Sequence, residues 1–383
     1  MKVLVAPDSF KESLDARQVA AAIQRGIKKV DPTSEVLLYP MADGGEGSMQ
    51  TLVEYTKGSY VDVLVCNPLL RPIPASYGVL GDGETVVIES AASIGLGLLK
   101  QSERNPIKTS SYGVGLLIRH AVESGYRKIV VCVGGTSTND GGAGMLQALG
   151  CYLYKNDGKC VGVGNQSLSD IYGIDTSKMA DLLDGCELIL ASDVINPLLG
   201  SEGATYVFAR QKGAKEEDLS VLENNLQYFA KAVARTIGKD FSQYPGAGAA
   251  GGIGFALVAL MGAKMRKGAD LMIELMELER VIADVDIAFT GEGSVDAQTA
   301  FGKVISGMAS LGKKYGKPVV ALCGSKVGDM SELHKSGLTA VFSITDSPMS
   351  LEESMSNTEL LLEKQSEEVA RLLLICTNIN NKL

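Results

Sequence analysis

The chain has 383 residues, which suffices for two domains that each bury a core, and 45% of its residues are hydrophobic. Its formal net charge of −9 would repel a phosphate backbone, so the composition argues against nucleic acid as a partner. No run approaches the ~20 apolar residues that a membrane span needs, which argues against a membrane protein.

The first 60 residues alternate between strand and helix patterns. A short apolar strand is predicted at KVLVAP, and the helix after it begins with a capping box of Asp15 and Gln18. That helix places Val19, Ile23 and Ile27 on one face. A second strand is predicted at SEVLLYP, and a second helix follows the turn MADGGEGS. This β-α-β-α order is typical of a parallel sheet covered by helices.

The pattern changes in the middle of the chain and returns near its end. A boundary is predicted at the proline-rich stretch NPLLRPIP, residues 67–74. Strands are then predicted at TVVIES, KIVVCV and CELILAS, and the clearest helix spans 216–238. Three further strand patterns follow at 285–291, 317–324 and 338–345.

We therefore predict an α/β protein of two domains, with the active site in the cleft between them. A Rossmann/flavodoxin-like parallel-sheet domain is built from both chain ends, residues 1–66 plus 285–383, because chain ends commonly lie together in one domain. An inserted α/β domain spans 67–284.

Polar residues concentrate where the predicted strands end. They are Asp8 to Lys11, Asp43 to Gly47, Glu89-Ser90, Gly134 to Gly144, Ser192-Asp193 with Asn196-Pro197, and Gly291 to Gly293 with Asp296 and Lys303. Ligands of open α/β sheets bind beyond the carboxyl ends of the strands, so this pattern predicts one shared cleft.

The available side chains favour phosphoryl transfer. Only two histidines are present, which argues against a Ser-His-Asp triad or a zinc site. The seven cysteines contain no C-x-x-C pair, so we expect reduced thiols in the cytoplasm. Phosphoryl transfer needs backbone N–H groups and a cation for the phosphates, carboxylates for Mg²⁺, and one carboxylate near the accepting hydroxyl.

Two glycine-rich stretches fall short of standard nucleotide motifs. GAGAAG at 246–251 matches G-x-G-x-x-G, but no strand pattern precedes it, so a dinucleotide site is discounted. It is either a loop over phosphates or a place where helices pack closely. GMASLGKK at 307–314 falls on an amphipathic helix and is not a P-loop.

Several polar residues keep two interpretations. Asp43 and Glu46 could bind one Mg²⁺ or stand in a solvated turn before a helix. Lys11 and Lys303 could hold anions or be ordinary exposed lysines. Asp140 could merely cap a helix, although capping would not explain the polar residues before it.

Nine segments, taken together, resemble the signature blocks of the type-1 glycerate kinase family. They are APDSFKESLDA (6–16), PMADGGEGS (40–48), ESAASIGL (89–96), TSSYGVG (109–115), VGGTSTNDGGAGMLQALG (133–150), SDVINPLLGSEGA (192–204), QKGA (211–214), GAGAAGGIG (246–254) and TGEGSVDAQTAFGK (290–303). The chain departs from the family pattern at Glu12, Ser294, Ile305 and the Ala209-Arg210 pair, which puts an essential cation at position 294 in doubt.

The resemblance implies ATP-dependent phosphorylation of D-glycerate with Mg²⁺, in a two-domain α/β enzyme whose site lies in the cleft. The product it implies is 2-phosphoglycerate, with 3-phosphoglycerate as the alternative. Chemistry placed on the matching motifs gives Asp193 as the base or orienting group beside the attacking hydroxyl, and Lys11 as the cation for the substrate carboxylate. The other candidates are Asp8, Ser9, Thr136, Ser137 and Asn139 for the substrate; Gly246, Gly248, Gly251, Glu292 and Lys303 for the nucleotide; and Asp43, Glu46 and Asp296 for the metal.

Two other functions stay open at this point. An NAD-dependent hydroxy-acid dehydrogenase would need a strand before Gly246, which the pattern lacks. A non-catalytic sugar-acid sensor would need an output module, and no helix-turn-helix is visible. The sequence also leaves open which hydroxyl is phosphorylated and whether the chain forms a homodimer.

Overall fold

Strands and helices alternate along most of the chain. The computed structural model describes residues 1–296 and 303–380. Its strands are β1 (Lys2–Val5), β2 (Glu35–Leu38), β3 (Ser59–Cys66), β4 (Pro72–Val79), β5 (Thr85–Glu89), β6 (Lys128–Cys132), β7 (Tyr152–Tyr154), β8 (Gly173–Asp175), β9 (Glu187–Ala191), β10 (Lys264–Arg266), β11 (Ile287–Val295), β12 (Val319–Lys326) and β13 (Ala340–Ser343).

The α-helices fill most of the connections between these strands. They are α1 (Ala16–Val30), α2 (Ser48–Thr56), α3 (Ala91–Ile94), α4 (Tyr112–Glu123), α5 (Ala143–Ala148), α6 (Ser177–Leu182), α7 (Ala204–Phe208), α8 (Glu216–Ile237), α9 (Ala249–Met261), α10 (Gly268–Leu275), α11 (Leu278–Ala283), α12 (Val304–Tyr315), α13 (Ser331–Ser336), α14 (Leu351–Ser356) and α15 (Thr358–Asn380). Short 3₁₀ turns lie at Leu96–Leu98, Gln101–Glu103, Asn165–Asp170 and Arg210–Lys212.

The first sheet is parallel throughout and takes its strands from both ends of the chain. Its order is β2-β1-β11-β12-β13. Counted along the chain, this is the 2-1-3-4-5 order of flavodoxin-like folds. The predicted α/β class and the parallel sheet built from both chain ends are therefore confirmed.

The second sheet is mixed, with the order β10-β9-β6-β5-β4-β3. Strands β10, β9, β6 and β5 are parallel to one another, whereas β4 is antiparallel to both of its neighbours. Strands β7 and β8 form a separate antiparallel pair.

The chain divides into two compact units. Residues Met1–Asp43 and Gly268–Leu383 form one, called here the terminal unit, and Gly44–Lys267 form the other, called the inserted unit. The divisions fall after Asp43 and before Gly268, whereas the sequence pattern predicts them after Cys66 and before Val285. The difference at the first division arises because β3 pairs along its whole length with β4 and so belongs to the second sheet.

The proline-rich stretch 67–74 is a hairpin turn and the start of β4. The side-chain oxygen of Asn67 accepts two backbone N–H bonds, at 2.9 and 3.0 Å, and closes the turn after β3. Pro72 and Pro74 lie in the part of β4 that pairs only with β3, since β5 pairs only with the last two residues of β4. Proline is tolerated there because no second strand needs its missing N–H.

Two predicted helices are confirmed with their ends. Helix α1 begins after Asp15, whose carboxylate accepts the Gln18 N–H at 2.9 Å, and the Gln18 side chain accepts the Asp15 N–H in return at 3.0 Å. Helix α8 ends at Ile237, where Gly238 adopts the left-handed conformation common at helix ends.

Each unit buries its own apolar core. In the terminal unit, Ile23 of α1 packs with Val5 and Phe289 of the sheet. In the inserted unit, Phe229 of α8 and Phe255 of α9 meet edge to face with ring centres 5.8 Å apart. Over residues 1–296 and 303–380, no helix has the length and apolar character of a membrane span.

Candidate active site

A pocket of about 590 Å³ lies at the carboxyl edge of the parallel sheet in the terminal unit. The pairing of β1 with β11 continues past the end of β1, because the Asp8 N–H donates to the Gly291 carbonyl at 2.8 Å. The chain leaves β1 for β2 on one side and returns to β11 on the other. Such a reversal of strand order is where ligands of open α/β sheets bind.

Asp8 is a buried carboxylate just beyond the end of β1. One of its oxygens accepts the Ser9 N–H at 2.6 Å. Burial, and after it the negative charge of Asp43, raises the pKa of Asp8 to about 7. A cation placed beside Asp8 and Asp43 would therefore be stabilised.

Two lysines accompany the carboxylates of this pocket. Lys11 Nζ lies 3.4 Å from the Asp43 carboxylate, whose charge raises the pKa of Lys11. The Lys11 side chain is 78% exposed, so this ion pair is a weak one and the ammonium group is accessible to a ligand.

The second lysine, Lys303, approaches a buried carboxylate. Its Nζ lies 3.6 Å from Glu292, which is only 6% exposed. Lys303 directly precedes α12, whose first N–H groups and positive dipole end favour an anion. The Lys303 ammonium group and the start of α12 therefore form one positively charged region.

The pocket brings together residues with different predicted roles, in substrate, nucleotide and metal binding. It is lined by Asp8, Ser9, Lys11, Asp43, Glu292 and Lys303, among others. Asp296 directly follows β11 and is not among the residues that line the pocket. Part of the last family-like segment, residues 297–302, lies outside the described residues.

A second group of predicted residues lies at one edge of the sheet in the inserted unit. The last paired residues of β5, β6, β9 and β10 are in register; they are Glu89, Cys132, Ala191 and Arg266. Because these strands are parallel, the loop that begins at Gly134 and the residues Ser192 and Asp193 leave the sheet at the same edge.

The loop side chains predicted to bind substrate are buried and bonded within the inserted unit. The Ser137 hydroxyl donates to a carbonyl of α3 at 2.9 Å, and the Asn139 side-chain oxygen accepts a hydroxyl of α7 at 3.4 Å. Thr136 is buried as well. Gly134 is half-buried and Gly135 is exposed, so their backbone is the accessible part of the loop. Substrate contacts by the three buried side chains stay a prediction.

Asp140 caps two helices, so the capping interpretation of this residue is confirmed. Its carboxylate accepts the Ser111 N–H at 2.8 Å, the Ser111 hydroxyl at 2.9 Å and the Gly142 N–H at 3.1 Å. Ser111 directly precedes α4, and Gly142 directly precedes α5. Burial raises the pKa of Asp140, and these hydrogen bonds oppose that rise.

Lys212, which has no role among the sequence-based predictions, is a buried lysine that contacts the same loop. Its Nζ donates to the Thr136 hydroxyl at 3.0 Å and to the Thr138 carbonyl at 2.8 Å. Burial lowers the pKa of Lys212 to about 7, against the opposing charge of Asp140. The only sequence signal for this residue was its place in the segment QKGA.

The first division between the two units falls between the acidic candidates Asp43 and Glu46. Asp43 belongs to the terminal unit and Glu46, which is exposed, to the inserted unit. Glu89 caps α2, since its carboxylate accepts the Met49 N–H at 2.8 Å. Among the described residues, no group of three or more His, Cys, Asp or Glu side chains is placed to hold a metal ion. The metal roles of Asp43, Glu46 and Asp296 stay predictions.

The three candidate glycines of the 246–254 segment are closely packed within the inserted unit, Gly246 against the Met265 side chain and the other two against backbone. A Cβ on Gly248 would lie 2.2 Å from the Pro197 carbonyl oxygen, and one on Gly251 would lie 2.0 Å from that of Thr138. Residues 239–245 contain no strand before Gly246, as predicted. Close packing explains these glycines without a ligand, and their contact with a nucleotide stays a prediction.

Comparisons with known proteins agree with the resemblance over nearly the whole chain. The sequence pattern of the glycerate kinase family matches residues 3–374. A glycerate kinase of Bacillus subtilis (strain 168) is 41% identical over 370 residues, with 97% of each chain covered. The glycerate 2-kinase of Escherichia coli (strain K12) is 41% identical over 375 residues, with 98% of each chain covered.

A solved structure matches the fold as well. A crystal structure described as that of a glycerate kinase 2 from Salmonella typhimurium LT2 aligns with a TM-score of 0.86 at 41% sequence identity. The alignment covers 99% of each chain.

Proposed function

The chain belongs to the glycerate kinase family, and we propose that it is an ATP-dependent kinase that phosphorylates D-glycerate. We propose 2-phosphoglycerate as the product, because the Escherichia coli relative is named a glycerate 2-kinase. The observation that carries the proposal is the pocket of the terminal unit, where four carboxylates, those of Asp8, Glu12, Asp43 and Glu292, and two lysines meet at a reversal of strand order.

The charges of this pocket suit phosphoryl transfer. Such a reaction depends on positioning and on neutralising the phosphate charges, with little covalent chemistry from the protein. Lys303 and the start of α12 are proposed to bind the phosphates. Lys11 is proposed to bind the glycerate carboxylate, and in doing so would exchange its exposed ion pair with Asp43 for a ligand ion pair.

The carboxylates of the pocket fit a magnesium ion. Mg²⁺ prefers oxygen ligands and is usually held by one or two carboxylates together with substrate phosphates. Asp43 and Asp8 would hold it, because burial, and after it the charge of Asp43, raises the pKa of Asp8, and a cation would stabilise both carboxylates in their charged form. When bound, Mg²⁺ would offset charge on the phosphate oxygens.

Asp193 is proposed as the group that accepts or orients the proton of the attacking hydroxyl. Support comes from its place just after β9, at the sheet edge where the Gly134 loop also begins. Thr136, Ser137 and Asn139 would then hold the shape of that loop, whose accessible part is the backbone at Gly135.

A coupled assay for ADP release with D-glycerate, followed by phosphorus NMR of the product, tests this function. We expect ADP release that depends on D-glycerate and a resonance from a phosphate on the 2-hydroxyl. Release of no ADP under any D-glycerate concentration would exclude the kinase assignment. A phosphate on the 3-hydroxyl would exclude only the position.

Substitutions in the same assay test the assigned residues. Lys11→Met should lower kcat/KM for D-glycerate about 10- to 100-fold, since a charge-assisted hydrogen bond is lost. Lys335→Met is the matched control, because Lys335 is an exposed lysine of the terminal unit outside the pocket. Asp193→Asn should lower kcat about 100-fold with ADP binding preserved, and near-normal turnover would remove its role.

A further inference from the structure

The pocket of the terminal unit has a charged part and an uncharged part. Along the sheet edge, its lining residues come from the ends of β1, β11, β12 and β13, in that spatial order. The charged lining residues lie at one end: Asp8, Lys11 and Glu12 follow β1, Asp43 follows β2, Glu292 belongs to β11, and Lys303 precedes α12. The lining residues at the ends of β12 and β13, and those from the segment 349–358, carry no charge.

The floor of the uncharged part is largely backbone. Gly324 of β12 lies so close to β11 that a Cβ there would be 2.6 Å from the Gly293 carbonyl oxygen. The Ser325 and Ser294 hydroxyls bond to each other at 2.9 Å, and the Thr345 hydroxyl donates to the Gly324 carbonyl at 3.0 Å. These polar groups are already satisfied, so this floor suits the face of a flat ring.

The wall of the uncharged part combines apolar side chains with the hydroxyl residues Ser350, Ser354 and Thr358. It includes Met349, Leu351 and Met355, and the Ser13 hydroxyl ties it to the charged part by donating to the Met355 carbonyl at 2.8 Å. Leu351 is 77% exposed although it lines a pocket. D-glycerate is a small polar acid with no apolar face, so it would gain nothing from contact with these apolar side chains.

We propose that the uncharged part of the pocket binds the adenine ring of ATP, with the triphosphate directed toward Lys303 and Lys11. This inference rests on the proposed function. From β1 to β13 is three strand spacings, about 14 Å, which accommodates an extended nucleotide. The pocket volume of about 590 Å³ also lies in the range for ligands of this size.

The proposed adenine site lies in the terminal unit and not at the glycine segment 246–254, which was the predicted nucleotide contact. At Gly248 and Gly251 of that segment, the backbone of Pro197 and Thr138 already occupies the space that a side chain would need. In the uncharged part of the pocket, in contrast, flexible methionine and leucine side chains can pack against the face of an aromatic ring.

Photolabelling locates the base directly. The full-length chain is irradiated with 8-azido-ADP and Mg²⁺, and the labelled peptide is identified by mass spectrometry. We expect the label within residues 345–358, and we expect excess ATP to compete it away. A label within 246–254 would overturn the inference.

Substitution of the exposed leucine gives an independent test. Leu351→Asp should weaken ADP binding, measured by calorimetry, at least about tenfold, because an apolar contact is replaced by a charge. Leu360→Asp is the matched control, since Leu360 is a 51% exposed leucine on α15 that does not line the pocket. Inorganic tripolyphosphate lacks the base, so Leu351→Asp should bind it like the unsubstituted chain. If Leu351→Asp and Met349→Asp both bind ADP with an affinity within twofold of that of the unsubstituted chain, the inference is overturned.

The two proposals fail in different ways. A chain that is labelled at 345–358 but releases no ADP with D-glycerate would contradict the proposed function and keep the adenine site. A chain that releases ADP with D-glycerate but is labelled elsewhere, or loses no ADP affinity on substitution, would keep the function and remove the adenine site.

Discussion

Among single residues, Lys212 shows how a charged side chain can serve as a structural contact. Its Nζ joins the Thr136 hydroxyl to the Thr138 carbonyl, within a loop whose other side chains bond inward. Full burial of an ammonium group is unfavourable, and the two hydrogen bonds offset that only in part. The loop is therefore held by a group whose charge depends on pH near neutrality.

Substituting Lys212 should change how stability depends on pH. The pKa of Lys212 is about 7 in the folded chain and 10.5 when unperturbed, so between these values the unfolded chain carries a proton that the folded chain lacks. The charge therefore destabilises the folded chain most below pH 7, and this effect fades as pH rises. Relative to Lys212→Met, the free energy of unfolding should rise by up to about 1.4 kcal/mol per pH unit.

Urea denaturation of both chains at pH 7, 8 and 9 checks the sign. Lys231→Met, which removes an exposed lysine of α8, should give a difference that does not change with pH. A flat difference for Lys212→Met as well would contradict a buried, titrating ammonium group.

Individual residues were predictable where polarity marked a strand end. Asp8, Lys11, Asp43, Glu292 and Lys303 were found in this way, and they line one pocket. The burial of Lys212 was not predictable, because a single lysine after a short helix is typical of an exposed position. Its burial is created by packing with the Gly134 loop, far away in sequence, which no local pattern records.

At the level of elements, the glycine-rich start of α9 is a packing feature. Gly251 has a φ of +68° and lies against the Thr138 carbonyl. The Gly251 carbonyl in turn accepts the Gly141 N–H at 3.0 Å, which joins this element to the Gly134 loop. A side chain here would push the two segments apart.

A pair of glycine substitutions separates packing from backbone strain. Gly262 ends the same helix with a φ of +65°, and a Cβ there would meet nothing within 4 Å. Gly262→Ala should therefore lower the free energy of unfolding by about 1 kcal/mol, from the left-handed conformation alone. Gly251→Ala should lower it by about 3 kcal/mol or more, since a backbone clash is added.

The comparison is read from urea unfolding curves of the two variants. If both variants lose the same free energy of unfolding, the segment has room for a side chain at Gly251, as expected of an open loop over phosphates. A larger loss for Gly251→Ala would support packing as the reason for glycine.

Elements were predicted best where one face is apolar. Helices α1 and α8 carry regular apolar spacing and were placed within a residue of their ends. The hairpin of β3 and β4 was missed, because two prolines in β4 indicate a boundary when read locally. Whether a proline is tolerated depends on which strand pairs beside it, and this is decided by the sheet.

For the whole molecule, the division into units has a consequence for folding. The inserted unit is one continuous stretch with its own core around Phe229 and Phe255, whereas the terminal unit needs both ends of the chain. We expect residues 44–267, expressed alone, to fold cooperatively.

The fragment should show a single sigmoidal urea transition by circular dichroism. Residues 1–43 alone serve as the control and should stay unfolded, because β1 and β2 lack β11 as a partner. A gradual, non-cooperative transition of the 44–267 fragment would contradict an independent core.

The central position of β11 between β1 and β12 also matters while the chain is being made. After β2 has left the ribosome, about 250 residues must be translated before β11 appears, roughly 12 to 50 s at typical rates. During this delay one edge of β1 is open, and its apolar side chains have no finished core to enter. We therefore expect the newborn amino terminus to depend on shielding, by a chaperone or by temporary contacts, until the last quarter of the polypeptide is made.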